Sequence, residues 1–364
     1  MNFPELASLY FLHTLPGVGN RTLWKIKQEW GSFLACFEAD QRSIQRSSLP
    51  TSIQAAIMEG RRGADPLSGL EKILAQDIKI CCVEDDEYPQ LLRSIFDPPY
   101  LFYFRGKLEI LSRLCLGIVG SRAATNYGKV QARHFGKELA GQGIVVVSGL
   151  ARGVDTEAHQ GALESGGETA AVLGSGLEVI YPPENKKLYD RIAQVGLIIS
   201  EFTPLAHPEP RNFPVRNRTI SGLCRGILVV EAKARSGALI TADFALEQGR
   251  DVFAIPGPIN SANSAGTNNL IKQGACLVSG IEDILTEYRL NSRMKSPASP
   301  QGELGFDRDR DEAAVLQALD YEAMHFDTLL GEAGLSIGEL STVLLKMELQ
   351  GLIKAMPGNH YVKV

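Results

Sequence analysis

The 364-residue sequence has no run of about 18 apolar residues, so we expect no membrane-spanning helix. Its first five residues, MNFPE, do not place a basic segment before an apolar one, which argues against a secretory signal. The six cysteines show neither CxxC spacing nor dense pairing. We therefore expect reduced thiols and a cytoplasmic protein.

The common signatures of catalysis are missing as well. The six histidines are scattered without a metal-ligand spacing such as HExxH, and neither a GxSxG elbow nor a phosphate loop of the form GxxxxGK occurs. Glu201 and Glu231 end two predicted strands, where they could act as a general base, bind a ribose or cap the neighbouring loops. The sequence therefore predicts no enzyme, no metal and no cofactor, and we interpret Cys81-Cys82 as strand packing.

The formal net charge of −5 is unevenly distributed. The last 64 residues carry 5 basic and 11 acidic side chains, whereas the first 300 are nearly neutral, with 32 basic and 31 acidic. Within this neutral part, the segment from Thr203 to Ile240 has 6 basic and 2 acidic residues. A basic stripe in a neutral body can bind a polyanion although the whole chain is acidic.

Two breaks divide the chain into predicted domains. Residues 290–310 are rich in serine, proline and charge and lack apolar periodicity, which is typical of a linker, and a weaker break lies near residues 59–63. We predict a helical domain over 1–62, a central domain over 66–289 and a winged-helix domain over 311–364. The first of these domains is similar to a SAM or helix-hairpin-helix domain, because the turn LPGVG lies between two apolar-periodic stretches. The main-chain amides of this turn could bind a phosphate.

In the central domain, nearly continuous apolar runs alternate with helical patterns. Such runs are typical of parallel strands buried on both faces. The fold class is therefore predicted as α/β, an extended Rossmann-like, doubly wound parallel sheet. The predicted strands are Leu116–Val119, Ile144–Val147, Thr169–Leu173, Leu197–Ser200, Ile227–Val230, Asp251–Ile255 and Ala275–Val278. The predicted helices are Tyr127–Gly141, Asp155–Ser165, Lys187–Gln194, Arg216–Leu223, Ala238–Gln248 and Asn268–Gln273.

The C-terminal pattern of three helices and a hairpin predicts a winged helix. Its candidate recognition helix, from Ser336 to Gln350, contains Lys346 against Glu339 and Glu348. Because a helix that enters the major groove should be electropositive, we interpret this domain as a protein-contact or regulatory module rather than a duplex-DNA reader.

The loops after the predicted strands share glycine, serine and arginine. Ligands of open α/β sheets bind beyond the carboxyl ends of the strands, where glycine lets main-chain amides approach an anion and arginine offers a bidentate fork. Such loops are Gly120-Ser121-Arg122, the segment with Gly149 and Arg152, Gly174-Ser175-Gly176 and the segment from Glu231 to Gly237. Short turns need glycine anyway, but several such loops at one edge favour a phosphate-bearing ligand.

A second cluster is the segment from Asn212 to Gly222, NFPVRNRTISG. Pro214 predicts that the helix begins after it, with Arg216 and Arg218 near the first turn, where cations oppose the helix dipole unless an anion binds. Phe213 could stack on a nucleobase. The alternative is that Phe213 packs on the core and the arginines are simply solvated.

Seven segments together resemble the bacterial DNA-processing protein family DprA (Smf): GSR, SGLARGVD, LGSGLEVIYPPEN, SEF, NFPVRNRTISGL, EAKARSGALITADFALEQGRDVFAIPG and GTNNLIKQGA. The resemblance implies a non-catalytic cytoplasmic homodimer that binds and protects incoming single-stranded DNA in natural transformation. It also implies loading of the RecA recombinase on that strand. The implied strand-binding residues are Gly120, Ser121, Arg122, Gly149, Arg152, Phe213, Arg216, Asn217, Arg218, Lys233, Ser236 and Gly237.

Two alternatives use the same kind of sheet. A nucleotide phosphoribohydrolase of Rossmann type carries a PGGxGTxxE signature, whereas the nearest segments here, PGP and AGT, lack the paired glycines and the glutamate. A sensor of a small nucleotide signal would use the same pocket, and the sequence leaves that possibility open.

Overall fold

A computed structural model describes residues 1–290, 310–319, 324–349, 352–356 and 358–363. The chain divides into two compact units, Met1–Met294 and Lys295–Val364. Nearly all of the predicted linker over 290–310 lies outside the described residues.

The first unit begins with six helices, because well-placed caps start them and apolar stripes bury them. Asn2, Ser32, Asp40 and Asp65 each accept a hydrogen bond from an amide in the first turn. These helices share one hydrophobic core with the sheet that follows, so the boundary predicted near residue 62 stays a prediction. The helices are α1 (Phe3–Thr14), α2 (Asn20–Trp30), α3 (Phe33–Glu38), α4 (Gln41–Arg46), α5 (Thr51–Gly60) and α6 (Pro66–Leu74).

A nine-stranded sheet follows, and it confirms the predicted α/β class. The strands are β1 (Lys79–Cys82), β2 (Leu101–Gly106), β3 (Cys115–Val119), β4 (Val145–Ser148), β5 (Thr169–Val172), β6 (Leu197–Ser200), β7 (Gly226–Val229), β8 (Asp251–Ala254) and β9 (Cys276–Leu277). Their order is β1-β2-β6-β5-β4-β3-β7-β8-β9. All pairs from β6 to β9 are parallel, whereas β1 and β2 add an antiparallel edge that the sequence did not predict.

The alternating pattern predicted six of the eight helices of the sheet domain, and those over residues 90–93 and 281–287 were not predicted. The eight helices are α7 (Gln90–Arg93), α8 (Asn126–Gly141), α9 (Val154–Glu164), α10 (Lys186–Val195), α11 (Asn212–Leu223), α12 (Gly237–Glu247), α13 (Ala265–Lys272) and α14 (Ile281–Glu287). Val145 and Val147 belong to one buried cluster and Val146 to another, so both faces of β4 are covered. The direction of strand addition reverses between β3 and β7, and ligands of such sheets bind at that switch point.

The second unit is a winged helix, as predicted. Its described elements are α15 (Arg310–Ala318), β10 (Met324–His325), α16 (Phe326–Ala333), α17 (Ile337–Leu349), β11 (Ile353–Met356) and β12 (His360–Lys363). Ile337 and Leu345 of α17 are exposed, and an apolar surface there suits the predicted protein-contact role, which stays a prediction.

Two findings bear on the sequence-based exclusions. Across the described ranges, no single helix is long and apolar enough to cross a membrane, although α16 and α17, which meet at 107°, pass that test as a bent pair. All six cysteines are free thiols, and burial raises the pKa of Cys81 to about 12. Cys81 and Cys82 are buried in β1, which confirms that they pack within a strand.

Candidate nucleic-acid interface

The loops after β3 and β7 meet at the switch point of the sheet, beside the first turns of α11. With the loop before α9 they enclose an open cavity of about 780 Å³, which we call the basic cleft. Most of the sequence-predicted residues line it: Gly120, Ser121, Arg122, Phe213, Arg216, Asn217, Lys233, Ser236 and Gly237. A narrow recess that also contains Gly149, Arg152, Gly174 and Tyr181 shares Arg122, Phe213 and Arg216 with the cleft.

Arg122 lies exposed at the end of β3, where its guanidinium stacks on an aromatic ring. The guanidinium carbon is 4.5 Å from the centre of the Phe213 ring, so the ring holds the cation in place through a cation–π contact. The amide of the preceding Ser121 donates to the main-chain oxygen of Glu231 at 2.8 Å. The loop is therefore tied to the segment after β7, and the exposed Arg122 side chain, rather than the Ser121 amide, is available to a ligand.

Arg216 is the buried support of the cleft and not one of its exposed cations. Only 4% of the residue is exposed, and its guanidinium donates to the main-chain oxygens of Gly149 and, at 2.6 Å, Val172. A side chain at Gly149 would overlap that guanidinium, so only glycine lets the arginine approach. The Gly149 amide in turn donates to the carboxylate of Asp155 at 3.1 Å and is thereby engaged within the protein.

Arg216 and Asp155 form an electrostatic pair beneath the cleft. Burial lowers the pKa of Arg216 to about 10, and Asp155 counteracts this effect. Burial also raises the pKa of the Asp155 carboxyl, while Arg216 and the amides of Ala151 and Gly149 oppose the rise. The pair fixes the loop before α9, and Gly149 and Arg152 of that loop line the recess.

Phe213 and Tyr181 supply the aromatic surface. Phe213 packs so closely on Gly174 that an added Cβ would lie 2.9 Å from the ring. The Phe213 ring therefore contacts the main chain at Gly174 and also contacts the Arg122 guanidinium. Tyr181, half-buried at 6.1 Å from Phe213, lines both the cleft and the recess. Sequence reasoning missed Tyr181, although an aromatic residue in a loop of glycine and proline at this edge was a usable signal.

The start of α11 corrects one prediction. The helix begins at Asn212 and not after Pro214. Proline is tolerated at this third position because the amides of the first turn have no helical partner to lose. The earlier start places Arg216 and Arg218 in the second turn, on different faces of the helix.

Arg218 lies away from the basic cleft. It is 9% exposed and forms ion pairs with Glu201 at 2.6 Å and Asp97 at 3.2 Å. Of the twelve sequence-predicted residues it is the one that lines neither the cleft nor the recess. Glu201, a candidate general base in the sequence, is thereby held in an ion pair.

The segment after β7 provides two more cations and a helix start. Lys233 and Arg235 are exposed and line the cleft; Arg235 was missing from the predicted site, although it belongs to the basic stripe. Ser236 caps α12 through its hydroxyl oxygen, and Asn217 donates to the main-chain oxygen of Gly237 at 3.3 Å. The positive end of α12 thus adds to the field of the side chains.

Two carboxylates near the cleft already have partners. Glu231 accepts from the Thr125 amide at 2.9 Å and from the Thr125 hydroxyl at 2.6 Å, which confirms the capping interpretation. Glu184 forms an exposed ion pair with Arg152, and Arg152 lies 6.0 Å from the Tyr181 ring. Within the described ranges, no group of three or more metal-ligating side chains occurs.

The arrangement as a whole suits an anion with a planar part. Three exposed cations, Arg122, Lys233 and Arg235, surround an aromatic pair at the end of the parallel strands. The part of the chain that forms this site matches a known protein family. The model of DNA recombination-mediator protein A matches residues 79–289, which hold the sheet and the cleft. The chain belongs to this family. The resemblance inferred from the motifs is thereby confirmed.

Individual relatives agree with the family assignment. Protein Smf of Escherichia coli strain K12 is 41% identical over 283 residues, 76% of this chain and 75% of that protein. The X-ray structure of DNA processing protein A from Streptococcus pneumoniae has a TM-score of 0.67 and 37% identity, and the match covers 79% of this chain and 98% of that one.

Two further matches concern DNA binding and the C-terminal unit. A structure of the Helicobacter pylori protein, described as showing a single-stranded DNA binding mode, matches with a TM-score of 0.53 and 31% identity over 58% of this chain and 96% of that one. The DprA winged helix domain matches residues 295–359, which confirms the predicted type of the last domain.

Proposed function

We propose that this protein binds single-stranded DNA in the basic cleft, protects it, and loads RecA recombinase onto it in recombination or natural transformation. The observation that carries the proposal is the meeting of Arg122, Lys233 and Arg235 around the Phe213–Tyr181 pair at the switch point. The family and the Helicobacter pylori relative support the same ligand.

A single strand suits the cleft better than a duplex does. Nonspecific single-strand binders combine cations that follow the backbone with aromatic or guanidinium planes that contact bases. The Arg122–Phe213 stack and the Tyr181 ring provide such planes, and the bases of a duplex are not free to reach them. Sequence preference should be weak, because stacking tolerates every base.

Binding without a chemical step is part of the proposal. The carboxylates that sequence reasoning considered as general bases, Glu201 and Glu231, are engaged by Arg218 and Thr125. Asp155 is buried against Arg216. These contacts support a binding role, so we propose that the protein is not an enzyme.

Family membership extends the proposal to partners and location. We propose that the protein works as a homodimer in the cytoplasm and transfers its strand to RecA by direct contact. Mixing purified RecA with the preformed strand complex tests the transfer: RecA filaments should nucleate faster on strands coated by single-strand binding protein when this protein is present. Unchanged nucleation would remove RecA from the proposal without affecting strand binding.

The test of the core proposal is a binding titration at two salt concentrations. Fluorescence anisotropy with a labelled oligo-dT, a duplex and a mononucleotide should show tight binding of the oligo-dT only. Three exposed cations predict a slope of log K against log salt of about −2, since each phosphate contact on a single strand contributes about −0.7.

Other outcomes would identify the rival functions. Binding of mononucleotides without binding of oligonucleotides would favour a nucleotide sensor. Release of free base from a nucleoside monophosphate, followed by chromatography, would favour a phosphoribohydrolase. Either result would contradict the proposal.

A further inference from the structure

A second cavity, of about 860 Å³, lies on the other side of α11. Its walls are the turn between α1 and α2 (residues 15–19), the loop before β2 and the adjoining faces of α11 and α12. We call it the hairpin groove. No part of the proposed function so far uses it, and all of its walls belong to the first compact unit.

The floor of the hairpin groove holds two buried polar atoms without a hydrogen bond. Arg218 Nη1 and Gln248 Oε1 are inaccessible to solvent and have no hydrogen-bond partner within the described part of the chain. Arg218 Nη1 lies 3.2 Å from a carboxylate oxygen of Asp97, but this ion pair is not a hydrogen bond. Buried polar groups are almost always satisfied, and both residues line the groove, so an unpaired donor and an unpaired acceptor there favour a ligand that offers both.

The walls above this floor are apolar and aromatic. Phe96 projects fully into solvent at the mouth, Val215 is exposed beside it, and Phe244 lines the interior. A planar apolar ligand that covered the Phe96 ring would gain free energy by removing it from water. The groove therefore suits a flat molecule with polar edges.

The charge of the lining disfavours a phosphate inside the groove. Burial lowers the pKa of His13 to about 4, so that side chain is neutral at physiological pH. The charged side chains of the lining are then Arg21, Arg218, Asp97, Glu201 and Glu247. With one more acidic than basic group, the groove repels anions and admits a neutral planar group.

The hairpin groove is continuous with the basic cleft through α11. Pro214 lines both cavities, Phe213 lines the cleft and Val215 lines the groove. A strand whose phosphates lie in the cleft can therefore cross the first turn of α11 and turn a base into the groove. Nucleobases carry donors and acceptors on one edge and apolar faces, which matches the floor and the walls.

We propose that the hairpin groove is a nucleobase pocket that receives a base of the same single strand whose backbone occupies the basic cleft. The inference rests on the proposed strand binding. It assigns the N-terminal helices a direct part in that binding, through the base-binding wall that they form.

The test compares three probes: a core of about four deoxythymidylates, the core extended by about four abasic nucleotides, and the core extended by about four deoxythymidylates, lengths within the usual range for such domains. Both ends of the core are extended in turn. The difference between the two extended probes isolates what added bases contribute, independent of added phosphates.

In the full-length protein, bases in the extension should improve affinity by about fivefold or more, the lower end of what one stacked base contributes. Phe96→Ala removes the wall and Val215→Trp fills the groove, and each should reduce that gain to about twofold or less. The matched controls are Ile259→Ala, another fully exposed apolar loop residue, and Val130→Trp, an exposed valine of α8. Both controls should keep the gain.

Each outcome decides the matter. A gain that is lost in the two groove variants and kept in the controls supports the pocket. A gain that is absent from the unmodified protein, unchanged in the groove variants, or lost in the controls as well overturns it and leaves the groove to another occupant, such as a peptide. Failure of the unmodified protein to bind even the core would refute the strand-binding function instead.

Discussion

Replacing Arg122 by alanine should separate the ionic from the stacking part of strand binding. Arg122 is one of three exposed cations of the basic cleft, and its guanidinium lies 4.5 Å from the Phe213 ring. In the proposed binding mode, the substitution removes one phosphate contact, and it uncovers the ring. It leaves the buried Arg216–Asp155 pair intact.

The salt dependence gives the magnitude. Loss of one contact should make the slope of log K against log salt shallower by about 0.7. Between roughly 50 and 200 mM salt, the affinity deficit of the variant should therefore shrink by about 2.6-fold. Because an exposed cation–π pair contributes about 0.5–1 kcal/mol, the free energy of unfolding should fall by no more than that.

The assay is an anisotropy titration of oligo-dT at four or more salt concentrations, with urea unfolding as the stability measurement. Arg225→Ala is the matched control, since Arg225 is an exposed arginine that does not line the cleft and its loss changes net charge equally. If Arg122→Ala and Arg225→Ala gave the same slope, Arg122 would not contact the strand, and the place of the cleft in the proposal would be wrong.

Three other predictions test the surroundings of the cleft. Arg216→Leu should lower the free energy of unfolding by about 3–5 kcal/mol in urea titrations, because it strands a buried carboxylate and two carbonyl oxygens; a loss below about 1 kcal/mol would contradict the buried pairing. Glu184→Gln should release Arg152 and thereby strengthen oligo-dT binding and steepen the salt slope by up to about 0.7, with little effect on stability. The control Glu164→Gln, which breaks the remote pair with Arg133, should change neither the oligo-dT affinity nor the salt slope. The Thr169 hydroxyl donates to the main-chain oxygen of Val146, so His159 Nδ1, at 2.7 Å, is the donor to Thr169. Its Nε2 is buried without a partner in the described chain, and burial lowers the pKa of His159 to about 3. The unfolded chain therefore takes up a proton at a higher pH than the folded protein does, and stability is lost as the pH falls below about 6.5, by about 2 kcal/mol at pH 5. A His159→Gln variant should lack this part of the pH dependence, and equal pH profiles would refute it.

The parallel part of the sheet was predictable because its signal is local and repeated. The strands from β3 to β7 are short, fully buried runs, and β8 is buried apart from its first residue. Strand packing of Cys81-Cys82 was predicted, but the sheet edge that β1 and β2 form was not, because the 18 residues between these strands contain one helix of only four residues. No alternating strand–helix pattern therefore marks this edge, and both the pairing of β1 with β2 and that of β2 with β6 are antiparallel.

The glycine-rich loops identified the correct edge of the sheet, but they did not show which amides and side chains are available to a ligand. Main-chain amides expected to face a ligand, those of Ser121 and Gly149, donate to Glu231 and Asp155 instead. A rigid loop can use its own amides in hydrogen bonds within the protein. Sequence composition does not distinguish such a loop from one whose amides bind an anion. The exposed side chains of Arg122, Lys233 and Arg235 carry the positive potential instead.

The arginines of α11 show where composition stops being informative. Arg216 and Arg218 are two residues apart, about 200° around a helix, so they cannot serve the same surface. One supports the floor of the basic cleft, and the other joins Glu201 and Asp97 at the floor of the hairpin groove. Both arginines were predicted to bind the strand because they are basic and close in sequence. Assigning each of them to its own surface requires knowing where α11 begins, and Pro214 suggested the wrong first residue. Because α11 separates the two cavities, a strand that contacts both must cross its first turn, and this turn is where the chain places an aromatic residue, a proline and an exposed valine in succession.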